Sequence, residues 1–261
     1  MHSMTVLGSG SSGNCTIIQR SSGLAMFIDA GLSMRQTRQR LGRSGQSLDS
    51  VTDLLLTHLD RDHFNPAWCR TLLARGVRVH VHHRHAERAI AVGVPEQLLV
   101  VFDRDLALED VRAEPVHMPH DAEGSIGFVL ESGGRRIGFA TDIGHVPDVM
   151  LNRFVDLDVL AIESNYDPEL QLGSRRPPTL KERIMGGNGH LSNRQALEAV
   201  LHIAERSRLR HIVLLHLSRQ CNSPAVIRSL YAEYGRDAMD MLTITSQDQP
   251  SQVLQVAPAT A

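Results

Sequence analysis

Short apolar runs alternate with amphipathic stretches along the whole chain. Residues 5–7, 16–18, 25–28, 54–56, 77–81, 99–102, 126–130, 136–140, 159–162 and 212–215 are brief, apolar and flanked by Gly, Asp or Ser, and they predict strands. Residues 33–41, 66–74, 84–92, 193–207 and 224–234 are helix-like, several with apolar positions three and four apart, and predict helices. Strands interleaved with helices imply an α/β layered domain, strands inside and helices outside. No fixed-period repeat and no long Pro/Gly linker divides the sequence, so a single domain is expected over residues 1–261. The segment 173–189, with Arg175, Arg176, Pro177, Pro178 and several glycines, predicts a mobile loop.

Composition narrows the classes. Hydrophobic residues at 42% and charged residues at 21% belong to a folded chain, not a disordered one. A formal net charge of -2 supplies no global basic field, so any polyanion must be gripped locally. Cys15, Cys69 and Cys221 are odd in number and far apart, which argues against a disulfide framework and against a thiolate zinc site. The opening residues lack a basic segment followed by an apolar one, and no run approaches the ~18 apolar residues that span a bilayer. Cytoplasmic location without membrane contact is the expectation.

The chemistry concentrates in Leu54-Leu-Leu-Thr-His58-Leu-Asp60-Arg-Asp62-His63, a buried strand ending in four candidate metal ligands. Side chains at i and i+2 leaving a strand share a side, so His58 and Asp60 can converge on one ion while Asp62 and His63 face a second. A divalent ion lowers the pKa of bound water and polarises the bond under attack. The competing reading is a solvated loop in which Asp62 and His63 cap the helix beginning before Pro66. His120 in Pro-His-Asp-Ala, Asp142 in Ala-Thr-Asp-Ile-Gly and His216 in Leu-Leu-His-Leu-Ser each follow an apolar run, and a strand end holds a ligand rigidly.

In this order the motifs resemble the H-x-H-x-D-H signature and later ligands of the metallo-β-lactamase superfamily, with Asp60 where most members carry a second histidine. Gly8-Ser-Gly-Ser-Ser-Gly-Asn-Cys15, Ile28-Asp-Ala-Gly-Leu32, Glu163-Ser-Asn165 and Gly189-His-Leu-Ser-Asn193 resemble, more narrowly, the YycJ (WalJ) family. The superfamily resemblance implies an αββα sandwich of two mixed β-sheets flanked by helices. It also implies two divalent ions held by His58, Asp60, Asp62, His63, His120, Asp142 and His216, with Asp142 as the shared carboxylate. Zinc, manganese, magnesium and iron are the metals to weigh, and an oxygen at position 60, harder than imidazole, favours manganese or magnesium there.

The narrower resemblance implies a cytoplasmic nuclease or phosphodiesterase-like hydrolase of the 5′-to-3′ exonuclease kind, acting through a metal-activated hydroxide on a phosphodiester such as single-stranded DNA or RNA. Asp62, orienting the hydroxide, and His190, protonating the leaving oxygen, are the expected catalytic residues. Ser11, Ser12, Asn14 and Asn165 are expected to touch substrate, and Asp29 to orient a ligand histidine by a hydrogen bond.

Other features leave alternatives. Gly8, Gly10 and Gly13 suit a tight turn or a phosphate cradle equally, but lack the Gly-Lys-Ser/Thr ending of a P-loop. His80, His82, His83 and His85 alternate along a strand entering a helix and predict surface chemistry, not a site. Only 74 positions separate Asp142 from His216, too few for a large inserted cap domain. A thioester or lactone hydrolase on the same scaffold is one rival. A non-catalytic metal-binding regulator, in which Asp60 marks a decayed site, is another. Oligomeric state is not legible.

Overall fold

A computed structural model describes residues 1–256. In chain order its strands are β1 (Ser3–Gly8), β2 (Cys15–Gln19), β3 (Ala25–Ile28), β4 (Val51–Leu55), β5 (Arg78–His82), β6 (Leu99–Phe102), β7 (Leu106–Leu108), β8 (Val111–Met118), β9 (Ser125–Ser132), β10 (Arg135–Ala140), β11 (Val159–Glu163), β12 (His211–Leu215), β13 (Leu242–Ile244) and β14 (Leu254–Gln255). The helices are α1 (Met34–Arg43), α2 (Cys69–Arg75), α3 (Ala86–Ala91), α4 (Asp148–Arg153), α5 (Pro168–Gly173), α6 (Pro178–Met185), α7 (Asn193–Ala204) and α8 (Pro224–Tyr234). Each predicted element overlaps an observed one. The expected mobile loop at 173–189 is corrected, because α6 forms inside it, starting on Pro178 at a position where a missing N–H costs nothing.

The described residues form two compact units. Met1–Pro115, Leu130–Arg135 and the described residues from Ser246 make one, and Val116–Val129 with Arg136–Thr245 make the other. The first unit holds a mixed seven-stranded sheet in the order β14-β1-β2-β3-β4-β5-β6. Pairing is antiparallel from β14 to β3 and parallel from β3 to β6. Parallel neighbours need crossovers, and α1, α2 and α3 fall in the three connections. Such strands are covered on both faces and read as unbroken apolar runs, as β3 does with all four residues buried. Phe27, Leu54, Trp68 and Val79 lie in its core. The Trp68 indole N–H donates to the Leu32 carbonyl at 2.8 Å, so its one polar atom is satisfied.

The second seven-stranded sheet runs β13-β12-β11-β10-β9-β8-β7. It too is mixed, parallel from β10 to β13 and antiparallel between β7 and β8. In the second unit α7 begins on a capping box, Ser192 with Gln195, and packs Leu197, Val200 and Ile203 into a core with Leu160, Ile162 and Tyr231. No helix among the described residues is long and apolar enough to cross a membrane.

The histidines of β5 overturn one expectation. His80, His82 and His85 are buried and only His83 is open, because β5 is an interior strand with both faces covered. His80 Nε2 donates to Asp53 Oδ1 at 2.7 Å, and Arg20 donates to Asp53 Oδ2 at 2.5 Å with both of those side chains fully buried. Arg78 adds a contact at 2.8 Å. Burial pushes the Asp53 carboxyl up, but hydrogen bonds from His80, Arg20, Arg78 and Thr52 outweigh it and hold the group well below the usual carboxylate range. Asp53→Asn is therefore expected to cost about 3–5 kcal/mol in urea unfolding at pH 7, since it removes the buried counter-charge of Arg20 and leaves only the half-exposed Glu109 at 3.2 Å. A depressed folded pKa gives stability that is complete above the unfolded value of about 4 and is lost as pH falls toward the folded one. The gap between wild type and Asp53→Asn should hence narrow between pH 5 and pH 2; a constant gap would refute the assignment.

Candidate functional site

β4 delivers the chain into a loop that carries four candidate ligands. His58 and His63 are buried, whereas the Asp60 and Asp62 side chains are 31% and 26% exposed. His58 Nε2 stands 3.9 Å from Asp60 Oδ2, and His63 Nε2 stands 3.8 Å from Asp62 Oδ2. Two separate couples result, with the imidazole centroids 4.0 Å apart. The loop is held from behind at Gly31, where an added Cβ would lie 1.7 Å from the Asp62 carbonyl oxygen. That carbonyl also accepts from the Asn14 backbone N–H at 2.7 Å and from the Asn14 side-chain amide at 3.2 Å.

Asn14 faces inward. Its Oδ1 accepts from Gly10 N at 2.8 Å and Ser9 Oγ at 3.0 Å, and its Nδ2 lies 2.9 Å from His63 Nε2. The glycine segment is a tight turn closed by Gly13 N–H on the Gly10 carbonyl, and Ser11 and Ser12 are exposed on it.

Hydrogen bonds set the imidazole tautomers. Asp29, just past β3, accepts from Thr57 N at 2.9 Å and from His63 Nδ1 at 2.7 Å. Giving Nδ1–H to a carboxylate leaves the His63 lone pair on Nε2, the usual arrangement of a metal-ligating histidine. His58 Nδ1 lies 3.0 Å from Thr57 Oγ1. In the second unit His120 Nδ1 donates to the Gly189 carbonyl at 2.9 Å, which again leaves Nε2 as the acceptor.

The second unit gathers its own cluster. Asp142 follows β10, Glu163 closes β11 and His216 follows β12, so three successive parallel strands present acid, acid and imidazole at their C-terminal ends. Asp142, Glu163, His190 and His216 each offer a ligand atom, all within 4.8 Å of one another. His216 Nδ1 is 3.2 Å from both Asp142 Oδ1 and Glu163 Oε1. His190 Nδ1 is 3.2 Å from Asp142 Oδ1 and only 2.7 Å from Glu163 Oε1. The His190 ring centroid lies 5.3 Å from that of His120 and 5.2 Å from that of His216. Asn165 is buried and donates to the His216 carbonyl at 2.7 Å.

Electrostatics separates the roles. Burial pulls the His190 imidazolium down, but Glu163 and Asp142 more than offset it and the pKa rises to about 10. Burial likewise pushes Glu163 up, and His190 and His216 bring it below the usual range. Four bonds of 2.0–2.1 Å around a tetrahedral ion put adjacent ligand atoms roughly 3.3 Å apart. The 3.2 Å spacing of Asp142 to His216 fits that edge, as do the equal spacings of Asp142 to His190 and Glu163 to His216, while 2.7 Å between His190 and Glu163 is a hydrogen-bond distance. The 3.8 and 3.9 Å couples on the first loop fall between the adjacent and opposite spacings of an octahedral ion, roughly 3.0 and 4.2 Å. The donor set, nitrogen and carboxylate oxygen with fixed tautomers, suits divalent metal.

Glu163 was absent from the predicted site. Its signal was available, since it is an acidic residue closing a buried apolar run, as Asp142 and His216 nearly do. Backbone strain marks the same places: Asp29, Asp142 and His216 have φ of 60°, 51° and 55°. A non-glycine residue in the left-handed region costs on the order of 1 kcal/mol or more and persists where the surroundings over-determine it.

A family profile described as the beta-lactamase superfamily domain matches residues 26–216, a span that contains every candidate ligand from His58 to His216. The chain belongs to the metallo-β-lactamase superfamily. Within that superfamily it resembles exodeoxyribonuclease YycJ of Bacillus anthracis, 27% identical over 230 residues that cover 86% of this chain and 85% of the relative. The metallo-β-lactamase fold protein YhfI of Bacillus subtilis superposes with a TM-score of 0.70 at 12% identity, covering 96% of this chain and 99% of the other. A diphosphatase of the PhnP family superposes with a TM-score of 0.68 at 15% identity, covering 98% and 99%. The two mixed seven-stranded sheets flanked by helices are thus those of the metallo-β-lactamase fold.

If Asp29 fixes the His63 tautomer through its charge, Asp29→Asn should bind Mn²⁺ or Zn²⁺ about 10–100-fold more weakly by titration calorimetry. Far-UV circular dichroism should stay unchanged, since asparagine tolerates the left-handed backbone. Wild-type affinity in the variant would remove that role.

Proposed function

We propose that this metallo-β-lactamase superfamily hydrolase is a phosphodiesterase acting on nucleic acid, an exonuclease of the 5′-to-3′ kind with single-stranded DNA or RNA as substrate. The observation that carries the reading is the couple of buried Glu163 with half-buried His190, joined at 2.7 Å beside Asp142. A sugar alkoxide is a strongly basic leaving group and needs a proton, whereas the thiolate of a thioester leaves without one. A residue holding a proton at a buried carboxylate is therefore of most use on a phosphodiester. The name of the B. anthracis relative supports the same substrate class.

In this reading two divalent ions are held by His58, Asp60, Asp62, His63, His120, Asp142 and His216. When bound they lower the pKa of water and offset charge on the phosphoryl oxygens. Asp62, 26% exposed, orients the attacking water. His190 keeps Nδ1 on Glu163 and, with its side chain 21% exposed, offers Nε2–H to the departing oxygen. Asn14 and Asn165, turned inward on His63 and His216, act on substrate by fixing those imidazoles. Asp60, an oxygen donor, favours manganese or magnesium, while the histidine-rich remainder also accepts zinc or iron. We place the protein in the cytoplasm, where free Cys15, Cys69 and Cys221 stay reduced.

Turnover of 5′-phosphorylated single-stranded DNA with Mn²⁺ tests the reading. Wild type should shorten the strand, chelation should stop it, and Asp62→Ala should lose most activity with its thermal melt retained. His190→Ala should lose about 10²–10⁴-fold on DNA but far less on bis(p-nitrophenyl) phosphate, whose leaving group needs little protonation. Thioester hydrolysis without phosphodiester hydrolysis would overturn the assignment, as would tight metal binding with no turnover of either.

A further inference from the structure

Two concavities flank the loop that bears Asp60 and Asp62, and Arg61 and Asn65 line both. One, of about 300 Å³, is polar, with Ser11, Ser12, Ser33 and Gln36 around it and Asp62 on its wall. The other, of about 530 Å³, is walled by Leu59, Phe64, Pro66, Ala67 and Val92, with Arg88 at its side. Both fall in the ~300–1,000 Å³ range of small-molecule sites. Arg61, on the shared wall, is exposed and makes no hydrogen bond or ion pair with the described residues. The Ser11 hydroxyl is equally unengaged. Asn65 spends its Oδ1 on Ala67 N at 3.0 Å, which leaves its amide hydrogens to donate outward.

An unengaged guanidinium with hydroxyl and amide donors on one side, and an apolar recess on the other, matches a molecule that is anionic at one end and flat and apolar at the other. We propose that the two concavities form one subsite for a terminal nucleotide. Its phosphate sits against Arg61, Ser11 and Ser12, and its base and sugar lie against Pro66, Ala67 and Val92, the accessible apolar residues of the recess. Arg61 is the specificity-determining residue, since a guanidinium holds a phosphate through two parallel N–H donors. Asp62 opposes a phosphate by charge, so the subsite is strongest when Asp62 holds an ion. The inference rests on the proposed nucleic-acid reading for its purpose, but its binding chemistry is separable from turnover.

The test is calorimetric binding of thymidine 5′-monophosphate, thymidine and inorganic phosphate to the full chain with Mn²⁺, beside Arg61→Ala, Arg61→Gln, Val92→Asp and His58→Ala. The monophosphate should bind at least tenfold more tightly than either thymidine or phosphate alone. Arg61→Ala and Arg61→Gln should each lose at least tenfold on the monophosphate with thymidine little changed, and Val92→Asp should weaken both nucleoside probes. Two variants at Arg61 guard against one misfolding. A loss in His58→Ala with none at Arg61 would put the phosphate on the metal centre and overturn the subsite, and so would a monophosphate that binds no better than inorganic phosphate. Arg61-dependent binding in a protein that cleaves no phosphodiester would leave the subsite standing and fell the proposed reaction; DNA cleavage without such binding would do the reverse.

Discussion

A carboxylate taken out of water must have its charge answered close by, and the placement of this chain's histidines and arginines follows from that need. Asp53 is answered by Arg20, Arg78 and His80, with cationic or imidazole donors on both oxygens. Asp29 is answered by His63 and Thr57. Asp142 and Glu163 are answered by His190 and His216. The three clusters differ in what their partners can exchange. Arginine keeps its proton at any relevant pH and closes the Asp53 cluster permanently, so that cluster is structural. Imidazole can give up a proton and offer the vacated lone pair to an ion, which makes the Asp142–Glu163 cluster suited to chemistry.

Strand register turns that need into geometry. Ala140 pairs with Ile162, Ile162 with Leu214 and Glu163 with Leu215 in unbroken parallel register. Asp142 and His216, one or two positions further on, therefore come level with Glu163 at one end of the sheet. The left-handed backbone at Asp142 and His216 turns each side chain off its strand axis at the point where the strand stops. The resulting strain stays because the sheet below fixes where each strand ends. A loop-borne side chain lacks that constraint. His120 and His190 come from loops, and they are tied to each other's segment through the Gly189 carbonyl that accepts from His120 Nδ1.

Much of this was legible in the chain because burial on both faces writes parallel strands as plain apolar runs, several of them ending in a candidate ligand. His58, Asp142 and His216 announced themselves in that way. Glu163 obeyed the same rule, yet an acid at a strand end reads equally well as the first residue of a polar loop. The short helices α4, α5 and α6 went unseen because each begins on or just after a proline, Pro147, Pro168 or Pro178, which punctuates a loop as readily as it opens a helix. Strands β13 and β14 are three and two residues long, too brief for any periodicity. The β5 histidines misled for a tertiary reason: alternation marks a half-exposed strand only when one face is open, and β5 has none. Where the chain breaks into compact units is equally tertiary, since Leu130–Arg135 belongs with the N-terminal part while its flanks do not.

Asp60 is the point at which sequence alone offered two outcomes, a harder ligand or a decayed site. Arg88 donates to Asp60 Oδ1 at 2.7 Å while Oδ2 stays directed toward His58 Nε2 at 3.9 Å. The pair is partly exposed, 40% and 31% at its two side chains, and such surface ion pairs contribute about 1 kcal/mol or less. That is far below what a divalent ion gains from an anionic oxygen, so Arg88 cannot hold Asp60 away from metal. What it does is choose the carboxylate rotamer and leave one oxygen facing the neighbouring imidazole. An orienting partner of this kind is what a metal-binding carboxylate uses, so the geometry at Asp60 suits the harder-ligand reading.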